Sequence, residues 1–350
     1  MMSHPMNMAR GVRSRYQYGV TLVELLVAMT LGLLVAIVAV STLILSRSGY
    51  SAVDSTSQLL DRERFAVDSL SRVIAQAGFQ DYSTGVLVTR AISRKLGGDP
   101  EPDLFGWNNA FYTQLNNLAI SDSSGTPPIT DGNRPGKCGT ITDTSCVNGS
   151  DILVVRFQGS GTLAAPDGTM LDCMGNAQPG IITGDLNERA ANVLYVARDS
   201  NNGEPSLYCS YYKMSTGLWV SGQPLVEGVE AMQLLFGTDN VTAATAPTFV
   251  AGAQDTVADS WLRADQLKVA GNDVATRENW RRVRAVRVGL LLRGPVGSAQ
   301  ERITSTFTPL GTLYSSSADS GSSLNTAADG RLRRVVNFTV HLRNNLTAAQ

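Results

Sequence analysis

The chain has 350 residues, with 29 Lys and Arg against 30 Asp and Glu, a formal net charge of -1 and 43% hydrophobic residues. So even a balance argues against a dedicated nucleic-acid binder, which carries a marked basic excess. Only two histidines accompany the four cysteines, and no Cys-x-x-Cys pair occurs, which argues against a structural zinc site.

The first element is a basic leader joined to a long apolar run. Arg10, Arg13 and Arg15 precede Gly19, with no acidic residue among them. From Val20 to Leu45 there are 26 residues whose only charge is Glu24. A helix of that run is about 39 Å long, enough to cross a hydrocarbon core of about 30 Å. A carboxylate inside such a helix is costly unless neutralised, and so marks a functional position. Three readings compete. A secretory signal peptide has a shorter apolar region and a small-x-small cut after it. A plain membrane anchor leaves Glu24 to reach the interface. A prepilin leader is cut before the apolar helix, after Gly19, so that Val20 becomes the mature N-terminus and Glu24 its fifth residue.

The run Gly19-Val20-Thr21-Leu22-Val23-Glu24-Leu25-Leu26 resembles the N-terminal signature of type IV pilins and pseudopilins. The resemblance implies cleavage of Gly19–Val20 by a prepilin peptidase, N-methylation of Val20, and a role for Glu24 as the carboxylate that neutralises a neighbouring subunit's new amine. The physics agrees, because an unpaired charge in an apolar helical bundle is expensive. Val20 departs from the Phe most often found there. Without the leader's arginines, 26 basic and 30 acidic residues remain.

Beyond the span the helix continues. Val53, Leu60, Val67 and Ile74 repeat every seven residues, flanked by Leu59, Ala66, Leu70, Val73 and Ala77. That spacing predicts an amphipathic helix from about Thr21 to Ala77, some 85 Å long, with Gly78 as its stop. Residues 80–150 are rich in turn formers, including Asp99-Pro100, Pro127-Pro128 and Arg134-Pro135-Gly136. Strand signals follow at 151–157, 192–197, 207–213, 229–236, 283–292 and 335–342, bounded by Gly, Asn and Asp. The expected fold is α+β: a long N-terminal transmembrane and amphipathic helix packed on a largely antiparallel β-sheet domain. The expected boundaries are a cleaved leader over 1–19, a helix over 20–79 with its membrane part at 20–45, and a β-rich domain over 80–350 that could form two subdomains.

Cys138, Cys146, Cys173 and Cys209 all lie beyond the span, and an even count in an exported chain reads as disulfides with three possible connectivities. Nearest-neighbour pairing is expected, Cys138 with Cys146 and Cys173 with Cys209. Charge is uneven: residues 46–275 carry 15 basic and 25 acidic groups, residues 276–350 carry 11 and 4. Solvated strand faces explain this most simply; complementary charge between the two regions, or between stacked subunits, is the sharper reading. Arg281, Arg282, Arg284, Arg287 and Arg293 are the densest basic cluster, read as a strand with solvated edges rather than a DNA contact, since only Trp280 is an adjacent aromatic.

A narrower resemblance runs in order along the chain. Asp61-Arg62-Glu63-Arg64-Phe65, Gly149-Ser150-Asp151-Ile152-Leu153, Leu171-Asp172-Cys173-Met174-Gly175, Ser206-Leu207-Tyr208-Cys209, Trp280-Arg281-Arg282-Val283-Arg284 and Leu342-Arg343-Asn344-Asn345-Leu346 are similar to segments of PilW-type minor pilins. Gln80-Asp81 departs from the Gly-Cys often found in relatives. The resemblance implies a low-abundance structural subunit that primes type IV pilus assembly at or near the tip, for adhesion or motility. Its implied partners are the prepilin peptidase, other minor pilins, the major pilin, an inner-membrane assembly platform and a tip adhesin. It places the chain in the bacterial inner membrane with its C-terminal domain in the periplasm, and later in the pilus. A minor pseudopilin of type II secretion shares this plan, and a membrane-anchored DNA- or ligand-binding module is the alternative from another class.

Catalysis finds little support. A Ser-His-Asp triad beyond the leader could use only His341, which lies in an apolar strand pattern. Gly159-Ser160-Gly161 is an isolated Gly-x-Gly. Asp199-Ser200-Asn201-Asn202-Gly203-Glu204 is faintly similar to a calcium loop but lacks the distal Glu, and a β-turn explains it as well. No cofactor, metal or enzymatic activity is expected.

Overall fold

The structure, a computed structural model, describes residues 19–81, 102–112, 147–181, 188–248, 256–299 and 301–344. The leader arginines, Cys138, Cys146, Leu346 and most of the turn-rich stretch lie outside the described residues. The chain divides into two compact units between Ser51 and Ala52. Helix α1 (Leu22–Ala75) supplies most of what is described in the first unit and one covering element of the second.

In the second unit, α1 buries Leu59, Ala66, Leu70, Val73 and Ile74, with Ala77 just beyond its end. Their spacing of seven, four, three, one and three residues keeps them on one helical face. The expected sevenfold stripe is corrected at its start, where Val53 is 70% exposed. Val53 lies well around the helix from the buried face, and Ser55 takes the inward position instead. The helix stops where expected. Gly78 adopts a left-handed φ of 74°, and its N–H donates to the Arg156 carbonyl at 2.9 Å.

The strands form one five-stranded antiparallel sheet in the order β1 (Leu104–Trp107), β2 (Ile152–Phe157), β3 (Ala190–Arg198), β4 (Pro205–Lys213), β5 (Leu218–Glu227). A second sheet has four strands. Here β6 (Val229–Thr238) lies between β7 (Ser260–Leu262) and β8 (Val283–Arg293), and β11 (Arg333–His341) closes the far edge of β8. A small pair, β9 (Ser305–Phe307) with β10 (Leu324–Thr326), completes the set.

Alternation along the second sheet assigns its two faces. Met232, Leu234 and Phe236 of β6 and Val286, Val288 and Leu290 of β8 join the core shared with α1. Ala231 and Leu291 face the other way, under Phe307 of β9 and Leu324 of β10. Gly289 sits on that outer face, where a Cβ would lie 2.6 Å from the Pro309 carbonyl oxygen, so the loop over β8 needs glycine there.

Two short helices, α2 (Ala264–Leu267) and α3 (Asp273–Arg281), close one end. Asn272 caps α3 by accepting the Ala275 N–H at 3.0 Å, and Trp280 packs edge-on against Phe236 at 4.7 Å. The two sheets are tied through Asp151. Its buried carboxylate accepts the Asn109 N–H at 2.8 Å and the Leu234 N–H at 2.7 Å. Burial, with the charge of Asp319 added, pushes its pKa well above the usual carboxylate range.

Cys173 and Cys209 form a disulfide with Cα atoms 6.4 Å apart, bridging 36 residues. Cys209 belongs to β4, as its sequence suggests. Cys173 does not lie in a strand but in a turn organised by Asp172, whose Oδ1 accepts the N–H groups of Met174 and Asn176 at 2.9 Å each.

Candidate processing and assembly site

The head of α1 brings together the residues singled out from the sequence. Gly19 and Val20 precede the helix and are exposed, Val20 at 69%. Thr21 is the N-cap. Its Oγ1 accepts the Glu24 N–H at 3.2 Å, and its carbonyl accepts the Leu25 N–H at 3.1 Å. The side chain thus satisfies one of the four N–H groups that a helix start leaves without a partner, while the carbonyl accepts the first bond of the helical ladder. Thr21-x-x-Glu24 is the sequence pattern of a capping box, so this cap had a signal, and sequence reasoning missed it.

Glu24 lies in the first turn, where the helix dipole favours a negative charge. Among the described residues its carboxylate has no cation partner. Everything around it is apolar and open: Leu22, Val23, Leu25, Leu26 and Val27 are each at least half exposed. A Cβ added at Gly19 would meet no atom within 4 Å, and its φ is not left-handed, so nothing within the described chain calls for glycine there.

Further along, the helix satisfies its own polar groups. Thr30 donates to the Val27 carbonyl at 2.9 Å, Ser41 to Ile37 at 2.8 Å and Thr42 to Ala39 at 2.9 Å. Those hydroxyls are thereby compatible with lipid or with an apolar bundle. Among the described residues, α1 is the one helix long and apolar enough to cross a membrane.

The arginine cluster does not form a solvated strand edge, and that expectation is corrected. Arg281 ends α3 and Arg282 caps it, while Arg284, Arg287 and Arg293 lie on β8. Arg284 is buried and pairs with the fully buried Asp239 at 3.2 Å. Arg287 stacks on Trp261, its guanidinium carbon 4.2 Å from the ring centre. Arg293 donates to Glu204 at 2.8 Å and Glu230 at 3.3 Å. Arg331 reaches Glu204 at 2.7 Å, and Arg333 reaches Glu230 and Asp329 at 2.7 Å each. Complementary charge between the acidic and basic regions is thus satisfied within the chain. Charge attraction alone would not assemble such a network; sheet topology brings Glu204 and Glu230 to arginines 63 to 127 residues away.

Burial works against ionisation of Glu204, but the hydrogen bonds from Arg331 and Arg293 outweigh it and hold its pKa below the usual carboxylate range. Asp329 is likewise held low, chiefly by its hydrogen bonds from Arg333. Glu204 also closes the segment that is faintly similar to a calcium loop. That segment is the turn between β3 and β4, with Asn201 N–H on Asp199 at 2.7 Å and Glu204 N–H on Asn202 at 2.8 Å. Among the described residues no cluster of three metal-ligating side chains occurs. His341 is exposed on β11, and Ser160 of the Gly-x-Gly segment is hydrogen-bonded to Asp167 at 2.7 Å.

Comparison with known proteins bears on both ends of the chain. Residues 193–344 match the family described as Type IV Pilus-assembly protein W, and residues 14–40 match the prokaryotic N-terminal methylation motif. No curated protein matches. Among solved structures, a type IV-like pilin from Thermus thermophilus is similar at 15% identity and a TM-score of 0.39, covering 82% of this chain and 96% of its own.

Proposed function

We propose that this chain, a minor pilin of the PilW family of type IV pilus-assembly proteins, is cut between Gly19 and Val20, methylated at Val20, and then primes pilus assembly at or near the tip. The observation that carries this reading is the head of α1. An exposed, non-helical Gly19–Val20 pair stands directly before a capped apolar helix with a carboxylate in its first turn. A peptidase needs an accessible extended peptide, and glycine at the cut allows close approach of its backbone. Glu24, with no cation partner among the described residues of its own chain, is suited to the freed amine of another subunit.

In this mechanism the leader's arginines hold the N-terminus in the cytoplasm. Cleavage frees α1 to leave the inner membrane and enter a helical bundle with other minor pilins and the major pilin. The β-rich unit meets its neighbours in the periplasm and supports a tip adhesin. The role is structural; the chain is a peptidase substrate rather than an enzyme.

N-terminal mass spectrometry of the protein from peptidase-competent cells tests the first step. The expected mature chain starts at Val20 and carries one added methyl group, and Gly19→Ala keeps the leader. An intact leader in the unsubstituted protein overturns the reading. Glu24→Ala is expected to leave the β-rich unit folded while reducing pilus number and co-purification with minor pilins. Unchanged values of both would remove Glu24 from that role.

A further inference from the structure

The four edges of the two larger sheets are unequal. β1 and β7 offer four and three residues. β5 is longer, but its register with β4 breaks twice, and it contains Pro224. Bulges and proline are devices that keep an edge from pairing with another chain. β11 has neither: its nine residues pair with β8 in unbroken register from Arg333 to His341, and no strand among the described residues covers its other side.

A groove of about 520 Å³ runs beside this edge. Small Ser71 and Ala75 of α1 line one side, and Thr339, His341 and Arg343 line the other. Asn344 fixes its end by donating to the Ala75 and Ala77 carbonyls at 3.3 and 3.2 Å. Among the described residues, no acidic side chain lines it. The neighbouring arginines are committed elsewhere: Arg333 to Glu230 and Asp329, and Arg334 to Glu63. Arg343 is exposed and has no carboxylate partner among the described residues.

We propose that the outer edge of β11 docks an extended, acidic segment of a different polypeptide, which adds a fifth strand to the β11-β8-β6-β7 sheet. Main-chain pairing gives such a contact its affinity, and the alternate side chains give it specificity. A carboxylate near one end of the added strand meets Arg343 and His341. A second copy of this chain is a poor occupant. Antiparallel self-pairing leaves Arg343 without a carboxylate, because no residue from Arg331 to Asn344 is acidic. The bulged β5 of a second copy lacks the regular backbone required. Docking at β11 does not depend on leader processing.

The test titrates the full-length protein in detergent with a labelled ten-residue peptide that alternates valine or threonine with glutamate. A lysine peptide of the same pattern is the control. The glutamate peptide is expected to bind and the lysine peptide to bind at least tenfold more weakly. Amide resonances of Asn337 to His341 shift, while that of Trp219 on β5 stays in place. Arg343→Glu is expected to weaken the glutamate peptide at least tenfold, with Arg343→Gln intermediate. Equal binding of the two peptides, binding of neither, shifts on β5 in place of β11, or indifference to both Arg343 variants would each overturn the proposal.

Discussion

Thr21 decides where the long helix begins, because its hydroxyl replaces a backbone acceptor that the helix start lacks. The bond to the Glu24 N–H is 3.2 Å, and it leaves Gly19 and Val20 outside the helical ladder. Valine has nearly the same shape as threonine but cannot accept that bond. Thr21→Val is therefore expected to weaken the first turn by about 1 kcal/mol. Faster hydrogen exchange of the Glu24 amide in the full-length protein would register the loss. Thr21→Ser, which keeps the hydroxyl, should restore slow exchange. Equal exchange in both variants would mean that Thr21 does not cap the helix. The apolar surroundings sharpen the effect, since a freed N–H finds fewer water partners near a membrane than in solution.

α1 serves two environments with one continuous pattern, and its second part is held by packing rather than by charge. Leu70 is 1% exposed within the shared core, whereas Phe65, five residues earlier, is 52% exposed. Leu70→Ala is expected to cost about 2–5 kcal/mol through lost burial and the cavity left behind. Phe65→Ala should cost less than about 1 kcal/mol. Chemical denaturation of the two variants separates them, and equal losses would place the helix differently on the sheet. The elements that were legible in the sequence share this logic of dense, regular apolar residues: α1, β2, β3, β4, β6, β8 and β11. β5 was not legible, since Gly222 and Pro224 interrupt it. Its glycine has a structural cause, because a Cβ there would overlap the Tyr195 hydroxyl. β1, β7 and α2 are too short to set up a period. At the candidate site, Gly19, Val20 and Glu24 were readable because the pattern is local. The β11 edge was not, because only the order of strands reveals which side of it is unpaired.

At the scale of the molecule, two sets of carboxylates set the pH response, and they work in opposite directions. Glu204 is held below its ordinary pKa by arginines from distant parts of the chain, and Asp329 by Arg333, four residues along the chain. A depressed pKa contributes stability that is present above the unfolded-state value and lost as pH falls through the folded one. Asp151 and Asp319 are shifted upward by burial, so their contribution is present at low pH and lost as pH rises through their folded values. The wild-type curve sums both, which hides the network unless it is removed selectively. Glu204→Gln does this, removing the charge and one of the two acceptor oxygens that Arg293 and Arg331 share, while leaving Asp151 and Asp319 untouched. Glu204 is partly exposed, so solvent screens part of the loss, and the expected cost near pH 7 is about 1–2 kcal/mol. That difference should shrink as pH falls below about 4.5, the ordinary range for a glutamate, because the protonated wild-type side chain then resembles the variant. Thermal melts of both proteins from neutral to acidic pH make the comparison. A gap that stays constant across the series would mean that Glu204 acts through packing, and that the arginines of β8 and the 331–333 segment do not depend on its charge.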